Sequence, residues 1–118
     1  PRGWIENWPL SDGSQGMTYQ ELGDSPPEDT RADTTRKRNS LLQTFGNLTI
    51  LTQPLNSSLS NSPWDIKKPE LLKASLLPIN QLLHDVVVWD EQAIENRSRI
   101  LFKNAISIWT GPNRISSE

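Results

Sequence analysis

The stretch FGNLTILTQPLNSSLSNSPWDIKK, residues 45–68, contains the most distinctive pattern of this sequence of 118 residues. A glycine–asparagine turn precedes the β-prone run 48–51, for which the pattern predicts a short strand. A proline-led segment, 54–59, follows and is typical of a short helix. Asn47 and Asn56 stand nine positions apart, with leucines one and four positions after Asn47. This order predicts a compact unit in which Asn56 lies near the start of the helix.

Length and composition indicate one domain with a modest core and long loops. The chain contains 34% hydrophobic residues and nine prolines. Cysteine is absent, which excludes disulfides and thiolate metal sites and suits the reducing cytoplasm, where we expect the protein to reside. The net charge is −2, so a nucleic-acid surface requires a local cluster of Lys and Arg. The sequence starts at Pro1 without a methionine, and we expect it to be a piece of a longer protein.

The first part of the chain predicts a loop-rich segment followed by a surface helix. Residues 1–24 have no sustained period, and we expect Trp4 and Trp8 to cover part of the core, since tryptophan has a large apolar area to bury. Ser25 and Glu28 have the spacing of a capping box and predict a helix start. Apolar residues are scarce before Leu41 and Leu42, so this helix is expected to dock only by its C-terminal end.

Further helices are predicted over 63–77, capped by Ser62 and interrupted at Pro69, and over 79–86. The clearest helix spans about 90–109, with Asp90 as its N-cap. Its apolar stripe predicts that it packs against the core as the main support of the fold; the stripe consists of Ile94, Ser98, Leu101, Ala105 and Ile108, widened by Phe102 and Trp109. Residues 113–118 are expected to form a loose tail. The only histidine, His84, is interpreted as an exposed or hydrogen-bonded residue without a catalytic role.

The pattern around Asn47 is typical of the second half of an HNH nuclease motif, Asn-Leu-x-x-Leu with a ligand-type residue nine positions after the asparagine. Together with other features, it resembles the HNH-type domain at the C-terminus of GmrSD-like modification-dependent restriction endonucleases. Those features run in order along nearly the whole chain: residues 46–52, residues 55–61, Trp64, Lys67, residues 89–91, Ile94, Arg97, and residues 108–109 ahead of 111–112. The resemblance implies an α+β, mostly α, domain built around a small ββα-metal element.

The same resemblance places the first nuclease motif at the very start of the chain. That motif is a strand with an acidic residue, a histidine and, three positions later, a proline, and Pro1 looks like this proline. The histidine, which the resemblance implies to be the general base, is therefore expected upstream of Pro1. We accordingly expect residues 1–118 alone to be inactive. The family also implies a ParB/sulfiredoxin-like N-terminal domain on the same parent chain.

The resemblance gives roles to individual residues. Asn47 is expected to hold a loop by bonding the backbone with its side chain, and the alternative is an ordinary turn residue. Asn56 is expected to support a divalent metal, Mg²⁺ or Mn²⁺, because an amide oxygen suits such an ion; the alternative is a surface asparagine. Lys67 and Lys68 are expected to contact DNA phosphates, although one of the pair is equally consistent with a plain surface lysine.

The basic run that contains Arg36 and Arg38 is a second candidate for contact with a phosphate backbone, with a solvated helix face as the alternative. Two functions follow from the whole sequence. One is the metal-dependent DNA endonuclease domain of a bacterial restriction or phage-defence protein. The other is a non-catalytic helical module that binds nucleic acid or a partner domain.

Overall fold

A computed structural model describes residues 2–109 and 111 of the chain, with the backbone alone for residues 2–4, and this part is mainly helical. The elements are α1 Arg2–Asn7, α2 Tyr19–Asp24, α3 Thr30–Leu41, a 3₁₀ turn at Phe45–Asn47, α4 Gln53–Leu59, α5 Trp64–Ala74, α6 Pro78–Gln81 and α7 Glu91–Ile108. The prediction of a mostly α domain is confirmed. The predicted ββα-metal element is not seen among these residues, so the α+β class is not confirmed. None of the described helices is long and apolar enough to cross a membrane.

The run 48–51, predicted as a strand, is unpaired, and Leu48 and Thr52 at its two ends have extended backbone angles. Leu48 has the backbone angles of a strand, with φ −101° and ψ 147°. A strand is defined by its hydrogen-bonded partner, and no strand lies within residues 2–109. Instead, side chains provide some of the hydrogen bonds that a partner strand would provide. The Leu48 carbonyl accepts a hydrogen bond from Arg97 at 2.7 Å, and the Ile50 carbonyl accepts one from Asn80 at 3.3 Å.

The prediction of a continuous loop over residues 1–24 is wrong where α1 and α2 form. Helix α2 begins after a capping box, in which the Thr18 hydroxyl accepts from the Glu21 amide and the Glu21 carboxylate accepts from the Thr18 amide. Trp8 is partly buried, whereas the prediction for the Trp4 side chain lies outside the described residues. The same holds for the predicted tail at 113–118.

Helix α3 begins at Thr30, four residues after the predicted start. Asp29 caps it by accepting from the amides of Arg31, at 2.9 Å, and Ala32, at 3.1 Å. Ser25 instead ends α2, where its hydroxyl donates to the Leu22 carbonyl. The prediction that this helix docks only by its C-terminal end is also wrong, since a whole face of it is buried, namely Ala32, Thr35 and Arg38.

Helices α5 and α6 are both shorter than predicted. Pro63, not Ser62, precedes α5, and the helix continues past Pro69 without a break. After the four residues of α6 the chain continues in tight turns, in which the Leu83 amide donates to the Asn80 carbonyl three residues earlier, at 3.1 Å. The predicted helix over 79–86 is therefore wrong beyond Gln81.

Three leucines from successive segments form the central core, and they are Leu59, Leu71 and Leu83. Partly buried apolar residues pack around them: Leu51, Leu55, Trp64, Leu72 and Trp89. The rings of Trp64 and Trp89 stack with centroids 5.0 Å apart, a favourable aromatic geometry. This core lies directly behind the extended run, because Leu51 points into it.

Helix α7 begins as predicted, with the Asp90 carboxylate accepting from the Ala93 amide at 2.9 Å. Its first half packs on the 3₁₀ turn and on α3, and it buries Ile94 and Leu101. The prediction that the whole stripe belongs to the core is wrong beyond Leu101. From Phe102 onward the described side chains of this helix are exposed.

Candidate functional site

Asn47 joins three parts of the chain with its side chain. Its Nδ2 donates to the Leu42 carbonyl at 2.8 Å, and its Oδ1 accepts from the Trp89 indole N–H at 2.9 Å. The turn after α3 is thereby fixed to the segment that leads into α7. This is the kind of side-chain to backbone bond expected for Asn47, although a role in catalysis stays a prediction.

Arg97 holds the backbone on both sides of Asn47. Its Nη1 donates to the carbonyls of Gly46 and Leu48, each at 2.7 Å, and its Nη2 donates to the Ile79 carbonyl at 3.3 Å. The side chain is buried, and burial lowers the pKa of Arg97 from its ordinary value. From the sequence, Arg97 is recognised only as a feature shared with the family, and its bonds to these carbonyls are not predicted. The only hint in the sequence is that Arg97, a charged residue, lies beside the apolar stripe of α7, where a buried arginine would need carbonyl or carboxylate partners.

Asn80 fixes the extended run from behind. It is fully buried, its Nδ2 donates to the Ser75 hydroxyl at 2.7 Å and to the Ile50 carbonyl, and its Oδ1 accepts from the Thr49 hydroxyl. A buried amide with all of these groups satisfied rigidifies its surroundings. Sequence reasoning missed Asn80, because nothing in its local pattern distinguishes it from a surface asparagine.

The opposite edge of the extended run has backbone groups that form no hydrogen bond within residues 2–109. In an extended chain the backbone groups of alternate residues point to the same side. The carbonyls of Leu48 and Ile50 are bound by Arg97 and Asn80. The backbone amides and carbonyls of Thr49 and Leu51 are the groups without a bond. The run is therefore supported on one side, while the backbone donors and acceptors of its other side are unused.

Asn56 lies on the exposed side of α4, and its side chain forms no hydrogen bond with the part of the chain that is described. Among these residues no three His, Cys, Asp or Glu side chains come together as a metal site would require. A single amide oxygen does not make a Mg²⁺ site, which needs octahedral oxygen coordination with at least one carboxylate. The described residues therefore do not fit a divalent ion by themselves.

Lys67 and Lys68 are half-buried on α5, and each uses one of its three ammonium donors within the protein. Lys67 donates to the Ser60 carbonyl at 2.7 Å and lies 5.4 Å from the centre of the Trp8 ring. Lys68 donates to the Val86 carbonyl at 2.9 Å. Burial lowers the pKa of Lys67. Both lysines are held in place with donors left over.

Arg36 and Arg38 occupy opposite environments on α3. Arg36 is exposed and pairs with Asp33 at 3.1 Å. Arg38 is buried, forms an ion pair with Glu91 at 2.7 Å, and also donates to the carbonyls of Trp8 and Pro9. Its position does not support the predicted DNA contact, because its guanidinium is enclosed by the fold. Sequence reasoning missed Glu91 as its partner, since 53 residues separate the two.

His84 is on the surface, as its interpretation from sequence required. Its Nδ1 lies 2.9 Å from the carboxylate of Asp85, and both side chains are exposed. It follows the short helix α6 and contributes to neither the core nor the bonds that hold the extended run. The chain contains no other histidine.

Comparison with known protein families identifies a family that matches most of the chain. The family described as GmrSD restriction endonucleases, C-terminal domain, matches residues 1–104. No curated protein and no solved structure matches the chain. The matched region contains the 3₁₀ turn, the extended run, both asparagines of the predicted site and most of α7.

Proposed function

Because the chain belongs to the family of C-terminal domains of GmrSD restriction endonucleases, we propose that it is the DNA-cleaving domain of such a protein. The residues 45–68 contribute one side of the active site. Asn47 holds the turn, and Asn56 faces the bound phosphodiester or its metal. This proposal goes beyond the family assignment, which itself establishes only a domain related to restriction endonucleases.

One observation carries the proposal: the extended run beside Asn47 is fixed by Arg97 and Asn80, and the backbone groups of Thr49 and Leu51 form no hydrogen bond within residues 2–109. Holding an unpaired segment straight costs conformational entropy. In this domain Arg97 and Asn80, two buried polar side chains, offset that cost by binding its inner carbonyls. Such an arrangement suits a strand that pairs with a second strand. A supported edge next to a rigid asparagine is what one half of a ββα nuclease site requires.

The second strand and the remaining metal ligands are proposed to come from outside the described residues. The described donor set does not fit a divalent ion, so the metal dependence implied by the resemblance needs carboxylate or imidazole groups supplied by another segment. The general base that the resemblance implies is proposed to lie in such a segment. Residues 1–118 contribute the positioning of the substrate and the support of this edge.

DNA is proposed to approach over α4 and α5. Lys67 and Lys68 retain free ammonium donors there, and a lysine contact with phosphate adds affinity without base preference. Arg36 is exposed and is also available to DNA, whereas Arg38 is assigned to the fold. The parent protein, with a ParB/sulfiredoxin-like N-terminal domain, is the proposed context for this activity.

The test compares residues 1–118 with the longer protein on the same supercoiled plasmid in Mg²⁺ and in Mn²⁺. We expect the longer protein to cleave and residues 1–118 to leave the plasmid intact, because the side chain of the only histidine, His84, bonds to Asp85 and not to the extended run. Equal cleavage rates would contradict the proposal that another segment completes the site.

The alternative, a non-catalytic binding module, is favoured by one specific observation. No cluster of metal-binding side chains forms within the described part of the chain. If the longer protein binds DNA but leaves it intact with either metal ion, this alternative replaces the nuclease proposal.

A further inference from the structure

Three of the five tryptophans of the chain line one groove, where the residue after α1, the start of α5 and the segment before α7 meet. They are Trp8, Trp64 and Trp89, and each of them is partly buried. The exposed side chains of Val87 and Val88 extend the apolar lining. The groove has a volume of about 360 Å³, which is the size of pockets that bind small organic groups. We call it the tryptophan groove.

Two of these tryptophans use their indole N–H groups within the fold. Trp64 donates to the Val86 carbonyl at 3.1 Å, and Trp89 donates to Oδ1 of Asn47 at 2.9 Å. What these two side chains offer to the groove is therefore ring surface without a hydrogen-bond donor. Ring surface suits a flat ligand, and every nucleobase has a π-face that stacks on an aromatic side chain.

The charged groups at the tryptophan groove match the parts of a nucleotide. The Lys67 ammonium lies 5.4 Å from the centre of the Trp8 ring, and Lys68 donates to the carbonyl of Val86, which directly precedes the valines of the groove. Within the part of the chain that the structure describes, each ammonium bonds one oxygen, so donors remain for a phosphate. The exposed carboxylate of Asp65 also lines the groove and can only accept hydrogen bonds.

We propose that the tryptophan groove binds an unpaired DNA base that has an exocyclic amino group, with an adjoining phosphate on Lys67. This rests on the proposed function, in which DNA approaches over α4 and α5. The base stacks on indole surface, and its amino group donates to Asp65, as the amino group of cytosine does to a carboxylate. The second carboxylate of the groove, Asp90, is used as the cap of α7. A cationic ligand also suits aromatic rings, but the Lys67 ammonium already lies against Trp8 and repels it.

Binding of a labelled single-stranded oligo(dC) to residues 1–118, followed by fluorescence anisotropy at fixed salt, tests the groove without any cleavage. Trp8→Leu keeps an apolar side chain but removes the ring, and we expect about 10-fold weaker binding, as for the loss of one base–aromatic stack. Trp8→Phe keeps a ring and should stay close to the native affinity. Trp109→Leu, at an exposed tryptophan outside the groove, is the matched control and should bind like the native chain. No binding by the native chain, or equal affinities of Trp8→Leu and Trp109→Leu, would overturn the proposal.

The preference between two bases gives a second measurement, which leaves the buried residues untouched. We expect oligo(dC) to bind more tightly than oligo(dT) of the same length, because thymine has an oxygen where cytosine has its amino group. In Asp65→Ala the ratio of the two affinities should fall to about one, and this ratio is insensitive to the lost charge because both strands have the same phosphates. Asp85→Ala, at an exposed carboxylate outside the groove, should keep the native ratio. Equal affinities in the native chain, or a preference that survives Asp65→Ala, would overturn the proposal.

These results are separate from those of the plasmid test. If the longer protein cleaves DNA but Trp8→Leu binds oligo(dC) like the native chain, only the base site is rejected. If the native chain shows both the ring dependence and the base preference while the longer protein never cleaves, the base site stands and only the nuclease proposal is rejected.

Discussion

Gly46 shows how closely a single residue determines the contact between α7 and the 3₁₀ turn. A Cβ atom at this position would overlap the Ile94 carbonyl and the Ser98 hydroxyl and would lie 2.9 Å from the Ser98 amide. Two of these three atoms belong to backbone, which cannot move aside cheaply. The close approach also allows Arg97 to reach the Gly46 carbonyl.

We therefore predict that Gly46→Ala lowers the free energy of unfolding by about 3 kcal/mol, because overpacking forces the backbone apart. Urea denaturation of residues 1–118 measures this. Gly23→Ala is the matched control, since nothing lies within 4 Å of its added methyl group. At that helical position alanine should raise the stability by about 0.5–1 kcal/mol. Equal effects of the two substitutions would contradict the role assigned to Gly46.

The ion pair of Arg38 and Glu91 gives a second prediction for single residues. Arg38→Met leaves the buried Glu91 carboxylate without its partner, and we expect a loss of about 4 kcal/mol of stability. Arg36→Met removes the exposed pair with Asp33 and two weak hydrogen bonds at the surface, to the Leu22 carbonyl and the Ser25 hydroxyl, and should cost about 1 kcal/mol or less. Chemical denaturation distinguishes them. If Arg38→Met were as mild as Arg36→Met, Arg38 would not be the structural residue described above.

Among the secondary-structure elements, α2 depends on a cap that responds to pH. A hydrogen bond from the Thr18 amide lowers the pKa of the Glu21 carboxyl below its ordinary value of 4.5. A lowered pKa means that the ionised form stabilises the folded state. The contribution of this cap is therefore complete above about pH 4.5 and is lost as the pH falls through the lower, folded pKa.

We predict that the Thr18 amide resonance of residues 1–118 shifts with a midpoint below pH 4.5 in an NMR titration. In Glu21→Gln this transition should be absent, since the amide of glutamine does not titrate. A midpoint at or above the ordinary value in the native chain would show that the capping box does not form in solution.

The elements differ in how well the sequence predicts them, and the difference follows from where the determining interactions lie. The start of α7 depends on Asp90 and on the first turn of the helix that follows it, so the local sequence is sufficient to predict where α7 begins. The start of α3 offered two local signals, Ser25 with Glu28 and Asp29, and only the folded chain shows that Asp29 is used. The run 48–51 has strand-like residues, yet a strand also needs a partner, which the local pattern does not supply.

The candidate site shows the same division. Asn47 and Asn56 are predicted site residues because of their spacing, which is a local property of the sequence, and their roles in catalysis stay predictions. Asn80 and the pairing of Arg38 with Glu91 are not recognisable in the sequence, because burial and partners more than 30 residues away arise only when the elements pack. The same reason explains the exposed second half of α7, because its periodicity alone does not reveal which of its turns other elements cover.

At the scale of the whole molecule, the domain has its core behind the candidate site. The core of leucines and stacked tryptophans supports the extended run. The backbone groups of Thr49 and Leu51 form no hydrogen bond within residues 2–109. The exposed apolar residues in the second half of α7, such as Phe102 and Ile106, lie outside this core.

The cleavage rate of the longer protein with Asn56→Ala tests the central claim, that residues 45–68 form one side of a nuclease site. Asn56 is exposed and outside the core, so its loss should leave the fold intact. Asn104→Ala, at an exposed asparagine on α7 outside this stretch, is the control. We predict that Asn56→Ala lowers the rate about 100-fold, as expected for a residue that supports a metal site, while Asn104→Ala cleaves like the native protein. A native rate for Asn56→Ala would contradict the claim.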